Sequence, residues 1–273
     1  MYLISRGKNL SMPKKSKKPS VAIFGLTSCE GCQFSIFDLH EKFLELTKYI
    51  ELDEFRLIED EKERSHYDIA FIEGNPVTTE NLHILKRIRK ISDVVVVLGN
   101  CADLGGVWEI KNYHDFKKLG CYVYKTCKTI ENREVIEVPK AIKADYVIPG
   151  CPINAQNFLA LVYSLLNKKP WALKMNPVCW ECQINKNPCL LQEGKICLGP
   201  IALAGCNAVC LNSRQECWAC RGILDQADEK IRNLIKILQN HDYSITDILE
   251  KMEFFGARDR IEAALQKPKE IKK

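Results

Sequence analysis

The sequence predicts an α/β protein: an open, doubly wound parallel sheet followed by a cysteine-rich domain built from loops. Three observations carry this. Short apolar strand candidates alternate with helix-period stretches from Val21 to about Leu166, the pattern of a parallel sheet with helices on both faces. The run Val94–Val97 is β-branched throughout and has no polar alternation, as a strand buried on both faces requires. After Lys168–Pro170 the texture changes to dense cysteine with Pro, Gly and Asn and little periodicity.

The elements follow in order. Residues 1–19 carry six basic side chains and no acid, which reads as a disordered basic tail. Strands are expected at Val21–Leu26, Asp68–Ile72, Val94–Gly99, Tyr122–Tyr124 and Tyr146–Ile148. Between them Ile36, Leu39, Phe43 and Leu46 recur at helical spacing. So do Leu82, Leu85 and Ile88, with Thr78–Thr79 ahead of them as N-cap residues. Residues 171–222 offer too little periodic apolar sequence for a conventional core, so something else must hold them together. Helix returns over 228–239, with Ile231, Leu234, Ile235 and Leu238 on one face, and the end (QKPKEIKK) reads as frayed and basic. The expected division is a tail (1–19), a sheet domain (20–170), a cysteine-rich domain (171–222) and a helical C-terminal segment with its tail (223–273).

Composition narrows the function. The chain has 273 residues, 46% apolar and 27% charged, which is ordinary for a globular protein and excludes disorder for most of it. No stretch approaches the roughly 18 consecutive apolar residues of a membrane span. The net charge is +5, but the basic tail accounts for all of it, so the body has no basic excess for nucleic acid. The N-terminus has no apolar signal core and no twin arginine, so a cytoplasmic location is expected. Thiols stay reduced there, which makes metal the natural use for fourteen cysteines.

Four cysteines follow strand candidates. Cys29 and Cys32 (TSCEGCQ) follow the first, Cys101 (LGNCADLGG) follows Val94–Gly99, and Cys151 (IPGCPIN) follows Tyr146–Ile148. The carboxyl ends of parallel strands form one rim, where ligands bind. Distant thiols therefore converge there. Four thiolates suit a [4Fe–4S] cluster or tetrahedral zinc. Gly25, Gly31, Gly99, Gly105, Gly106 and Gly150 allow tight turns and close backbone approach to a bulky inorganic group. A thioredoxin-like reading of the C-x-x-C explains neither Cys101 nor Cys151. Glu73 (FIEGNP) also follows a strand and is expected to reach the same rim, to relay a proton or sit beside the cluster, or else to serve as a helix-entry or salt-bridge residue.

The second domain reads C-x2-C-x6-C-x7-C (Cys179, Cys182, Cys189, Cys197) and then C-x3-C-x6-C-x2-C (Cys206, Cys210, Cys217, Cys220). These form two sets of four, each able to wrap one cluster or one zinc. Spacing alone leaves open which four belong together. Pro177, Pro188 and Pro200 stiffen the loops. Trp180 and Trp218 are expected to exclude water beside the thiols. Cys121 and Cys127 fit neither set and are expected to be structural or free.

The motifs TSCEGC, EGNP, LGNCADLGG and IPGCPIN, followed by eight cysteines and CLGP, resemble the small subunit of cytosolic [NiFe] hydrogenases. Among these, the sulfhydrogenase delta subunit and the F420-non-reducing hydrogenase small subunit are the nearest in pattern. The resemblance covers about Val21 to Gly222. It implies a flavodoxin-like domain holding a proximal [4Fe–4S] cluster on Cys29, Cys32, Cys101 and Cys151. It implies a distal cluster on Cys179, Cys182, Cys189 and Cys197, and a medial cluster on Cys206, Cys210, Cys217 and Cys220. Cys179 stands where periplasmic members have a histidine ligand. Cys210 lies near where they have a proline and a three-iron cluster.

The implied function is electron relay through three [4Fe–4S] clusters. It implies a NiFe centre on a separate large-subunit partner and iron–sulfur or flavin acceptor subunits beyond. The chain alone is expected to lack hydrogenase activity. The helix bearing Phe34, Ile36 and Phe37 is a candidate for burial against the large subunit. No G-x-G-x-x-G follows a strand, so no dinucleotide site is expected. Three other readings compete: a complex I-type 20 kDa quinone-reductase subunit, a zinc-stabilised interaction module, and a ferredoxin-like carrier without a hydrogenase partner. The first has two adjacent cysteines where this chain has Cys29-x-x-Cys32, and it lacks the eight-cysteine domain.

Overall fold

Five parallel strands organise the first half of the chain: β1 (Ser20–Gly25), β2 (Glu51–Phe55), β3 (Tyr67–Glu73), β4 (Ser92–Leu98) and β5 (Tyr146–Ile148). The computed structural model describes residues 18–55, 57, 64–126, 131 and 134–267. Most of the expected basic tail, the last six residues and Cys127 lie outside them. The strand order is β2-β1-β3-β4-β5, the flavodoxin-like arrangement, whose order reverses between β1 and β3.

Two strand expectations change. Tyr122–Tyr124 forms no strand: α5 (Phe116–Val123) carries its first two residues. β5 pairs directly with β4, and the aromatic run sits on an exposed helix end, with Tyr122 90% exposed. A three-residue β-prone run without a strand partner gains nothing from extension. Conversely, β2 carries three acids in five residues and gives no apolar signal. It is fixed by its ladder with β1, with buried Phe55 facing the core.

Helices cover both faces. On one face Val21, Ile23, Ile69, Phe71, Val96, Leu98 and Ile148 pack against α1 (Gly31–Phe37), α2 (Glu41–Leu46) and α7 (Ala155–Leu166). On the other, Ala70, Ile72, Val95 and Val97 meet α3 (Thr79–Lys90), α4 (Gly99–Leu104) and α6 (Val138–Ala141). The Thr78 side chain accepts from the Asn81 N–H at 3.1 Å, which caps α3 as its sequence indicates. A 3-10 segment, Gly106–Tyr113, follows α4.

The cysteine-rich stretch contains α8 (Val178–Ile184) and α9 (Val209–Asn212). It shares an apolar core with α10 (Asp228–Gln239), α11 (Ile245–Glu253) and α12 (Arg258–Gln266). Leu198, Ile201, Leu203 and Leu211 supply the loop side. Ile231, Leu234, Leu238, Ile248 and Ile261 supply the helix side. The loops therefore gain from C-terminal helices the burial that their own sequence lacks. No helix among the described residues is long and apolar enough to cross a membrane.

The C-terminal segment also grips α4 and the 3-10 segment that follows it. The Asn100 side-chain amide donates to the Phe255 carbonyl at 2.9 Å. The Tyr113 hydroxyl donates to Asp259 at 2.8 Å. Gly256, at φ +69°, lies so close that an added Cβ would stand 2.0 Å from the Leu104 carbonyl oxygen. Gly256→Ala is therefore strained in backbone and blocked in space. It should destabilise by more than about 1 kcal/mol, lowering Tm by at least about 2–4 °C. Thermal unfolding of the assembled protein measures this.

Candidate metal centres

The strand ends deliver the first thiol set. Cys29 and Cys32 lie where β1 turns into α1, Cys101 lies in α4 directly after β4, and Cys151 lies directly after β5. All four are free thiols, with Cys32 buried, Cys101 partly buried, and Cys29 and Cys151 exposed. They face one another. Burial pushes Cys101 up to about 12, and the nearby Cys151 and Cys29 add to this. Burial raises Cys32 further, with Glu73 contributing next. Such thiols do not ionise together unless a cationic centre compensates their charge.

The surrounding backbone is shaped for that centre. Gly99 sits at φ +78°, and a Cβ there would lie 2.3 Å from the Cys32 sulfur. The Ile153 N–H donates to the Cys32 sulfur. The Trp108 side chain hydrogen-bonds the Cys101 sulfur, a contact that no motif announced. Glu73 is buried. It accepts the Cys32 backbone N–H at 3.0 Å and the Gln33 amide at 2.9 Å. Glu73 thus anchors the start of α1 and fixes Cys32, contacts that a helix-entry residue standing beside the rim thiols makes. Asn75 likewise donates to the Cys101 carbonyl at 2.6 Å.

The eight downstream cysteines fall into two neighbouring sets. Cys179 senses Cys197, Cys182 and Cys189, and burial pushes it up to about 12. Cys217, well raised by burial, senses Cys220 and Cys206 as well as Cys197. Cys220 is raised by burial to about 11 and faces Cys206 and Cys210. A cavity of about 130 Å³ is lined by Cys206, Cys210, Cys217 and Cys220, with Cys151 at its edge. Gly199 gives the other set its close approach, since a Cβ there would lie 3.2 Å from Cys179 Sγ and 3.6 Å from Cys197 Sγ.

The three sets touch in series. The Cys151 backbone N–H donates to the Cys220 sulfur. The Cys217 N–H donates to the Cys197 sulfur at 3.4 Å. The sets are also wide. Tetrahedral zinc, with Zn–S near 2.3 Å, holds its sulfurs about 3.8 Å apart. Among the described residues no three of these thiols lie within 4.8 Å of one another, although His66, Asp68 and Asp93 do on the exposed surface.

Other sequence expectations resolve here. Of the α1 aromatic and aliphatic residues, only Phe34 faces outward, at 56% exposure. Ile36 is fully buried, and Phe37 stacks on Phe55, because the sheet needs that face of α1. Trp218 packs edge-on against Phe254. Trp180 is half exposed. Cys121 is disulfide-bonded, which departs from the expectation of reduced thiols throughout. Arg221 and Glu181, which sit between the sets, carried no motif signal.

The class defined by this fold and site is an open parallel α/β protein with thiols gathered at its carboxyl rim and a second thiol module beside it. Comparison with known proteins narrows it. The family model described as "NADH ubiquinone oxidoreductase, 20 Kd subunit" matches residues 29–165. The chain is 30% identical to a vhu-type F420-non-reducing hydrogenase subunit of Methanocaldococcus jannaschii, covering 85% of this chain and 91% of that one. It is 29% identical to the sulfhydrogenase 2 subunit delta of Pyrococcus furiosus, covering 80% and 92%. A chain of an NAD+-reducing [NiFe]-hydrogenase crystallised in the H2-reduced state superposes with TM-score 0.53 at 26% identity, covering 58% of this chain and 96% of that one.

The chain belongs to the 20 Kd subunit family, and its relatives there are hydrogenase subunits. It is itself a subunit of a hydrogenase, an oxidoreductase. Gly99→Ala should displace the Cys32 sulfur and deplete metal at the rim set while sparing the second module. Metal analysis per chain, compared with the unaltered protein, measures the loss.

Proposed function

We propose that this chain is the electron-transfer small subunit of a cytosolic [NiFe] hydrogenase. It relays electrons between a NiFe site on the large subunit and an acceptor subunit through three [4Fe–4S] clusters. Cys29, Cys32, Cys101 and Cys151 hold the proximal cluster. Cys206, Cys210, Cys217 and Cys220 hold the medial one, and Cys179, Cys182, Cys189 and Cys197 the distal one. When bound, each cluster accepts and releases one electron at a time. The chain divides accordingly into a flavodoxin-like domain (20–170), a two-cluster domain (171–222) and a helical segment from 223 onward.

The observation that carries this reading is the serial contact of the three thiol sets. The Cys151–Cys220 and Cys217–Cys197 contacts join them in the order rim, middle, far. Exposure follows the same order. Cys29 and Cys151 are exposed at one end and Cys189 at the other, while none of the middle four is exposed. A relay needs accessible ends and a sheltered middle. The rim end, with exposed Phe34, Val107 and Trp108 near Cys29 and Cys101, suits the large-subunit face.

The residues of this chain act by position and environment. Backbone N–H groups of Ile153, Cys217, Gly199 and Ala219 point at cysteine sulfurs, and such bonds favour the more negative state and raise potential. Apolar walls such as Leu203, Ala208 and Leu211 keep water from the middle cavity. The quinone-reductase reading draws support from the family description, but that match ends at residue 165 and leaves eight cysteines unused.

Two outcomes test the proposal. The complex purified without oxygen should be brown, give a reduced-state EPR signal, contain a nickel-bearing partner and carry about twelve Fe per copy of this chain. Stoichiometric zinc without iron would end the reading. Cys206→Ala should slow acceptor reduction at least tenfold while leaving assembly with the large subunit intact. Normal acceptor reduction would remove Cys206 from the relay.

A further inference from the structure

A guanidinium lies buried between the first and middle thiol sets. Arg221 follows Cys220 directly and is 4% exposed. Its Nε donates to the Ala204 carbonyl at 3.0 Å and its Nη1 to the Pro149 carbonyl at 2.9 Å. Pro149 belongs to the loop that carries Cys151, and Ala204 to the loop that carries Cys206. One planar fork thus ties the two loops together. Nη2 has no hydrogen-bond partner in the structure. The backbone is built around it: Gly205 is at φ +117°, and a Cβ there would lie 2.7 Å from Nη2.

A buried cation without a counter-charge is strongly disfavoured. Among the described residues no carboxylate comes within ion-pair distance of Arg221. The groups facing it that can carry negative charge are Cys206, Cys220 and Glu181. Glu181 is already engaged, accepting the Gly205 N–H at 2.9 Å and the Ala208 N–H at 3.2 Å, with the Cys206 sulfur at 3.8 Å. Arg221 also lines the cavity formed by the middle four cysteines. The charge it lacks is the charge a thiolate-bound iron–sulfur group brings to that cavity.

We propose that Arg221 is a positioning residue for electron relay. It seats the Cys206–Cys220 set against the Cys151 loop, and its fixed positive charge and free Nη2–H raise the reduction potential of the middle centre. The inference rests on the three-cluster reading and deepens it. One electron enters the middle centre and the same electron leaves. Arg221 keeps its proton, and no bond to it forms or breaks. Each reduction adds one negative charge in the cavity, and the nearby guanidinium offsets that charge.

The test is EPR-monitored redox titration of the anaerobic complex in three forms: unaltered, Arg221→Gln and Arg221→Lys. Arg221→Gln should lower the reduced-to-oxidised ratio of the middle centre about tenfold at fixed poise, a downward shift of about 59 mV for one electron. Arg221→Lys, which keeps the charge, should recover at least half of that shift. An unchanged midpoint in Arg221→Gln overturns the proposal. A second measurement needs no substitution. Unaltered complex labelled with 15N in its arginine guanidinium groups should show 15N hyperfine coupling on the reduced middle-centre signal, and its absence overturns the proposal. If the unaltered complex binds iron at the rim and far sets but gives no signal from the middle cavity, the three-cluster reading fails first and takes this inference with it.

Discussion

Grouped thiols in a low-dielectric interior are the constraint on which this structure turns. A thiol buried beside other thiols resists ionisation, because each thiolate is poorly solvated and repels the next. Cys101, Cys179 and Cys220 all show this, pushed up to about 12, 12 and 11 by burial first and by neighbouring sulfurs second. A protein that needed only packing would use alanine or valine at these positions. Gathering thiols pays off only if a cationic, sulfur-seeking centre joins them, and then burial becomes an asset, since it excludes water and strengthens every N–H···S contact.

The sheet solves the first half of the problem. Parallel strands end at one rim, so residues as far apart in sequence as Cys29 and Cys151 meet without a dedicated binding loop. The order reversal between β1 and β3 opens the space into which they point. Glu73 shows how tightly the rim is held. It terminates β3, takes the Cys32 N–H and the Gln33 amide, and so fixes the entry of α1 from a neighbouring strand. The second half has no sheet to help it. There the C-terminal helices provide the apolar mass, and Gly256 lies against Leu104 while Asn100 holds the Phe255 carbonyl. The same helices therefore stabilise the loops that present eight thiols and lock those loops to the element that carries Cys101.

Much of this was legible in the residues. Val94–Val97 announced a central strand because burial on both faces leaves no alternation to read. The cysteines were legible because they fall at strand ends and then in fixed spacings. β2 was not, since its sequence is acidic and only its ladder with β1 makes it a strand. Tyr122–Tyr124 misled because β-propensity is a property of a pleated neighbour as much as of a residue. Ile36 and Phe37 looked available to a partner, yet the sheet claims them and leaves Phe34 outside. Glu181 and Trp108, which touch sulfurs, and Arg221, which ties two carbonyls, were invisible because only the folded chain creates their contacts.

The order of the proposed relay follows from contacts rather than from numbering. In sequence the middle set comes last, after Cys197, yet Cys220 meets the Cys151 N–H and Cys217 donates to the Cys197 sulfur. The chain runs from the rim to the far set and then doubles back to fill the space between. That path explains why the middle thiols are the sheltered ones and why their cavity is walled by residues from both neighbours. It also explains why a charged side chain is tolerated there. A guanidinium buried at an end of the row would meet solvent or a partner, whereas this one faces Cys206 and Cys220 and holds the Pro149 carbonyl of the Cys151 loop.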